Sequence, residues 1–145
     1  MYKHILLPTD GTKLSEKSVK QGVRMAKSLG ARVTALHVVP KFHTFTYQMD
    51  MLESTRDGYE TEAVARAKTY LDYVRKVASA ADVPCDAMYA ISDQPFKEII
   101  KAAGKKDCDL ILMASHGRRG LEGFLLGSET QKVLTHSRVP VLVYR

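Results

Sequence analysis

Between Ala114 and Thr130 the chain reads ASHGRRGLEGFLLGSET, with glycines at 117, 120, 123 and 127, arginines at 118 and 119, and a histidine at 116. Glycines at this density let backbone N–H groups approach an anion with no Cβ in the way. The segment runs into a helical pattern that begins at Ser128. The first N–H groups of a helix have no partner within it and stand at the positive end of its dipole, so a phosphate would meet free N–H donors where Gly127 leads into Ser128. The hydroxyls of Ser115, Ser128 and Thr130 add donors, and Arg118 and Arg119 add charge. A polyphosphate suits this chemistry. The usual phosphate-loop strings, GxxxxGK[ST] and GxGxxG, are both absent.

Each of these residues also has a plainer reading. SETQ at 128–131 is a capping-box pattern, in which Ser128 caps the helix and Gln131 reaches back to the Ser128 N–H. His116 can orient a turn, and the two arginines can stand in solvent or face a partner. Upstream, Pro8, Thr9 and Asp10 end an apolar run beside Gly11. The Asp10 carboxylate can meet a ligand, or it can make an Asx-turn and cap the helix that follows.

Two periodicities alternate along the chain and decide where these residues go. Short apolar runs at 2–10, 31–40, 85–92, 109–115 and 139–145 predict strands, and those at 2–10, 31–40 and 109–115 suit burial on both faces. Helical spacing covers 13–29 (Val19, Val23, Met25, Ala26, Leu29), about 59–81 (Ala63, Ala67, Tyr70, Leu71, Val74, Val77), 94–103 (Phe96, Ile99, Ile100) and 128–136. The expected fold is α/β, a single doubly wound domain with a five-stranded parallel sheet and helices on both faces. In such sheets the ligand crevice lies beyond the carboxyl ends of the strands, where the winding reverses. Asp10 and the loop 114–127 share that crevice if the first and fourth strands are neighbours. Residues 40–58 are long for a connection: either the second helix begins before Tyr59, or the segment is a lid or contact loop.

The bulk composition narrows the class. With 145 residues, 45% hydrophobic and 26% charged, the chain has the make-up of one globular domain. No apolar run approaches the roughly 20 residues of a membrane helix, and Pro8 and Asp10 interrupt the N-terminal run too early for a secretory leader, so the expected compartment is the cytoplasm, away from membranes. Cys85 and Cys108 lack the spacing of a metal or redox pair and read as small buried thiols. The net charge of +6 favours anionic partners, but the cations are spread along the chain without interleaved aromatics, which argues against nucleic acid.

Taken together, HILLPTDGT, LHVVP and the stretch from Asp109 to Arg145 resemble the universal stress protein family over the whole chain. Its ATP-binding members carry Gly, two residues, Gly, nine residues, then Gly followed by Ser or Thr. Here Ala114, Gly117, Gly127 and Ser128 hold that spacing, with Ala in place of the first Gly. The resemblance implies strand order 3-2-1-4-5, in the manner of the adenine nucleotide alpha hydrolases. It also implies ATP with Mg²⁺ or Mn²⁺: Asp10 on the ribose, the Val38 backbone on the adenine edge, and Gly117, Gly127, Ser128, Glu129 and Thr130 on the phosphates. Pro8, Thr9, Ala114, His116 and Arg118 would complete the pocket. The family's dimer pairs last strands, which VPVLVYR suits, and an unidentified protein partner would read the nucleotide state. The function implied is a small dimeric regulator in stress response, with slow ATP hydrolysis at most. Two other readings stay open: a nucleotide-independent dimeric interaction module, and a phosphoryl- or adenylyl-transfer enzyme, although the SGGxD and HIGH strings of catalytic relatives are absent.

Overall fold

The computed structural model describes residues 1–43, 49–118 and 125–145, and for residues 49–54 the backbone only. Its elements, in chain order, are β1 (His4–Pro8), α1 (Lys13–Leu29), β2 (Arg32–Val39), α2 (Met49–Ala80), β3 (Cys85–Ile91), α3 (Pro95–Lys105), β4 (Leu110–Ala114), α4 (Ser128–His136) and β5 (Val141–Tyr144). All strands run parallel in the order β3-β2-β1-β4-β5, as expected. Helix α2 begins at Met49, ten residues before the apolar stripe that announced it, so of the two readings of 40–58 the early helix start is the one found. Residues 44–48 of that segment lie outside the described residues.

Strict alternation along the central strands divides the core in two. Ile5, Leu7, Val33, Ala35, Leu110 and Leu112 face Val19, Val23 and Ala26 of α1 and Leu71, Val74 and Ala78 of α2. Leu6, Leu36, Ile111 and Met113 face Ile99, Ala102 and Ala103 of α3 and Val133 of α4. A parallel sheet covered on both faces must be apolar on both, which is why these strands read as unbroken hydrophobic runs. Helix α1 starts at Thr12, whose hydroxyl accepts the Ser15 N–H at 3.3 Å, and stops at Gly30 in the left-handed region at φ 64°. It packs tightly on the sheet at Gly22, where an added Cβ would run into the Leu7 side chain.

The second pair of helices is locked by a contact that the sequence pattern does not announce. Helix α3 starts with Pro95 and has no side-chain cap of its own at Gln94. The Glu129 carboxylate, reaching across from α4, accepts the Phe96 N–H at 2.9 Å and supplies the missing acceptor at the positive end of α3. The expected capping box at 128–131 is not formed. Gly127 is already extended, at φ −60° and ψ 150°, and its carbonyl accepts the Gln131 N–H at 3.0 Å, so the cap is Gly127 and Ser128 is the first helical residue. The Gln131 amide turns instead to the Leu126 carbonyl at 2.8 Å.

Both cysteines are covered as expected, Cys108 fully and Cys85 in part, and burial pushes the Cys108 thiol up to about 11. His4, at the start of β1, is 3% exposed with Nε2 2.7 Å from the Thr34 hydroxyl, and burial lowers its pKa below the ordinary 6.5. Burial does the same to His37.

Two outcomes follow from this packing. Gly22→Ala overpacks the α1–β1 contact and should cost about 1–3 kcal/mol in urea unfolding without changing the helix content. His4 and His37 bind protons less readily folded than unfolded, so their contribution to stability is present above pH 6.5 and lost as the pH falls through and below that value. The urea midpoint should therefore decline from pH 7.5 to pH 5.5, and His37→Asn should flatten the decline.

Candidate functional site

Parallel pairing of β1 with β4 brings the carboxyl ends of both strands together at the point where the winding reverses. After Pro8, the Thr9 N–H donates to the Leu36 carbonyl at 2.8 Å, extending the sheet by one bond before the chain turns. Thr9 is buried, and its hydroxyl accepts the Ser15 hydroxyl at 2.8 Å. The turn is completed at Gly11, at φ 79°, a conformation that costs a residue with a Cβ about 1–2 kcal/mol.

Asp10 sits at the apex of this turn with its carboxylate held from both sides. Oδ1 accepts the Thr12 N–H at 3.0 Å and the Thr12 hydroxyl at 2.6 Å, which is an Asx-turn into α1. Oδ2 accepts the Arg118 N–H at 2.9 Å, from the loop after β4. The structural reading of Asp10 and its place in the crevice thus hold together: one oxygen shapes the turn, and the other reaches the glycine-rich loop. The cap on α1 itself is Thr12.

Beneath the turn lie two residues that the sequence did not single out for a site. Tyr70, assigned by periodicity to the core, packs its ring where a Gly11 Cβ would be. Its hydroxyl accepts Arg118 Nη2 at 3.0 Å, and the same nitrogen donates to the Asp10 carbonyl at 3.1 Å. The His37 ring meets Tyr70 edge-on, with centroids 5.0 Å apart, and His37 Nδ1 lies 2.8 Å from the Thr9 carbonyl. A carbonyl only accepts, so Nδ1 carries the proton. His37 is therefore the donor that fixes the Thr9–Asp10 peptide. The only signals for this pair were the small residue at 11 and a histidine in an otherwise apolar strand.

The loop closes at its base by a bond from the Gly127 N–H to the Ser115 carbonyl, 2.8 Å. Gly127 and Gly117 are required for space. A Cβ on Gly127 would stand 3.0 Å from the His116 Cα, and one on Gly117 would stand 2.6 Å from Asp10 Oδ2. Past Gly127, the N–H groups of Ser128, Glu129 and Thr130 form the first turn of α4, which has no side-chain cap. The Thr130 hydroxyl donates to the Ala114 carbonyl at 3.0 Å, so Thr130 offers the site its N–H alone. His116 Nδ1 is 3.2 Å from the Ser115 hydroxyl, as expected of a residue that orients the turn. Arg119, Gly120, Glu122 and Gly123 lie outside the described residues.

Ala114 and Val38 complete the rim. Ala114 is the last residue of β4, and the non-glycine residues with positive φ among those described are Asp82 and Asp107. Its methyl group therefore meets no conformational objection. In β2, Leu36 is the last partner of β1, and the carbonyl of Leu36 points to the β1 side. Backbone groups two residues apart point the same way, so the Val38 N–H and C=O face the β1 side beyond the end of β1. That is an amide edge beyond the last β1–β2 pair, at the mouth of the crevice.

Among the described residues no three His, Cys, Asp or Glu side chains converge as metal ligands. A separate groove of about 530 Å³ lies between α1 and β5, away from the loop, lined by Met25, Leu29, Leu112, Leu142 and Tyr144 among others. No helix among the described residues is long and apolar enough to cross a membrane.

Comparison with known proteins agrees with this architecture. The model of the universal stress protein family matches residues 1–145. The chain is 31% identical to universal stress protein MJ0531 of Methanocaldococcus jannaschii, covering all of this chain and 83% of that one. It is 30% identical to universal stress protein YxiE of Bacillus subtilis, with both covered completely. The solved structure of MJ0577, also from M. jannaschii, superposes with a TM-score of 0.83 at 29% identity over 99% of this chain and 95% of that one. The five-stranded 3-2-1-4-5 sheet, the paired ends of β1 and β4 and a family match over its full length make this chain a member of the universal stress protein family.

Proposed function

We propose that this chain binds ATP at the ends of β1 and β4 and acts as a small regulatory protein in stress response. The observation that carries the reading is the uncapped first turn of α4, set beside the Asp10 turn across a loop closed at its base. The Ser128, Glu129 and Thr130 N–H groups receive the phosphates, Asp10 receives the ribose, and the Val38 edge receives the adenine. Two proteins of the same fold were solved with nucleotides, one with cAMP and one, from Archaeoglobus fulgidus, with dAMP, which supports a nucleotide as the class of ligand. Mg²⁺ or Mn²⁺ would accompany the triphosphate and offset its charge.

Regulation is favoured over rapid catalysis by what the nearby carboxylates already do. Asp10 is held by three internal donors and Glu129 caps α3, so neither stands free as a base for an attacking water. A second copy of the chain completes the proposed assembly. β5 is an edge strand, Leu142 on it is 37% exposed, and the apolar groove lies beside it, so pairing of two β5 strands would cover both. The cytoplasm is the compartment proposed for this dimer, and a protein partner would read its nucleotide state.

Ser128→Pro tests the phosphate site with little disturbance to the fold. Proline is favoured at the first helical position, Gly127 already has the extended backbone that must precede it, and the substitution removes the Ser128 N–H and hydroxyl, both donors to the proposed phosphates. Calorimetric titration of ATP with Mg²⁺ into nucleotide-free protein should show binding, and Ser128→Pro should weaken it about tenfold at unchanged stability. Unchanged affinity in the variant would remove the phosphates from α4. For the dimer, Leu142→Arg should sediment as a monomer at concentrations where the parent chain sediments as a dimer.

A further inference from the structure

The hydrogen bonds around Asp10 limit what a sugar can find there. A carboxylate offers about four acceptor positions, two on each oxygen. On Oδ1 both are filled, by the Thr12 N–H at 3.0 Å and the Thr12 hydroxyl at 2.6 Å. On Oδ2 one is filled, by the Arg118 N–H at 2.9 Å, with the Gly117 backbone packed against the same oxygen. Among the described residues, one position remains.

The third donor is anchored by side chains. Arg118 Nη2 donates both to the Asp10 carbonyl at 3.1 Å and to the Tyr70 hydroxyl at 3.0 Å, so the loop is tied to α2 at the point where its backbone meets Oδ2. The Tyr70 ring is in turn fixed between Gly11 and the edge of His37, whose Nδ1–H holds the Thr9 carbonyl. Each link constrains the next: sheet to His37, His37 to Tyr70, Tyr70 to Arg118, Arg118 to Asp10.

We infer that Asp10 accepts a single ribose hydroxyl of the nucleotide rather than the 2′,3′-diol, and that Tyr70 and Arg118 are the positioning residues that keep its one free acceptor site aimed into the crevice. The inference rests on the nucleotide reading above and specifies the sugar that the site selects. A hydrogen bond to a fixed charged acceptor is worth about 10- to 100-fold in affinity, and it is lost if the single matching hydroxyl is removed. The other hydroxyl finds no acceptor on Asp10.

The test is a calorimetric panel of ATP, 2′-deoxy-ATP, 3′-deoxy-ATP and 2′,3′-dideoxy-ATP with the wild-type chain and with Tyr70→Phe. The variant keeps the ring on Gly11 and removes only the hydroxyl that Arg118 uses. In the wild type, one monodeoxy analogue should bind within about twofold of ATP, and the other should fall with the dideoxy analogue, about tenfold or more below. In Tyr70→Phe, ATP should lose about three- to tenfold while the dideoxy analogue is unchanged. Equal losses for both monodeoxy analogues would show a bidentate diol and overturn the inference, as would a variant that shifts all four ligands equally or none of them. If Tyr70→Phe does not fold, Arg118→Lys, which cannot bridge the two acceptors in the same way, must show the same selective loss. A wild-type chain that binds none of the four overturns the nucleotide reading and this inference with it. One that binds all four alike overturns the sugar inference alone.

Discussion

Everything at the crevice depends on the parallel pairing of β1 with β4. Sequence-adjacent strands in this fold lie on one side of β1, and β4 is the first to be laid down on the other, so the carboxyl ends of β1 and β4 diverge into loops that no crossover covers. The Asp10 turn fills one half of that opening and the glycine-rich loop the other. They are bonded to each other by the Arg118 N–H. A strand order that separated β1 from β4 would leave the same residues without a common site.

The close approach explains the glycines differently from a purely ligand-centred view. Gly127 has ordinary negative φ, and the constraint at Gly117 and Gly127 is lack of room: the first lies against the Asp10 carboxylate, the second against the His116 backbone. The protein must pack its own backbone tightly before any anion arrives. Of Gly11, Gly117 and Gly127, it is Gly11 that has the left-handed conformation, and there the absent Cβ also makes the space that Tyr70 fills. The first turn of α4 accordingly starts from a glycine that offers no side-chain cap.

Charge is handled with similar economy. Arg118, which the sequence offered as a phosphate contact or a solvated cation, spends its guanidinium on a carbonyl and a phenol. Glu129 lies in the first turn of α4, where a carboxylate would repel a phosphate if it pointed at the ligand. Its side chain instead turns to the first turn of α3 and also meets Lys132 at 3.3 Å, leaving the Glu129 N–H to serve α4. One residue therefore joins two helices through its side chain.

The sequence by itself determined the elements and their order, because burial on both sheet faces demands unbroken apolar strands and burial of one helix face demands the 3.6 period. It also located the site segments, since glycine spacing before a helix and an acidic residue after a strand are local chemical signals. Tertiary structure alone decided the rest. The start of α2 at Met49 was hidden because its first turns carry no continuous apolar stripe. The cap at Gly127 displaced the capping box because the backbone bond to Gln131 already started the helix one residue earlier than SETQ suggested. Tyr70 looked like a core residue because periodicity reports which face of a helix is inward, and the inner face above the end of a strand is both core and floor of the crevice. Contacts between residues 48 to 108 positions apart, such as Arg118 with Tyr70 and with Asp10, have no signature in local sequence, since they exist only once the sheet has brought the chain back to itself.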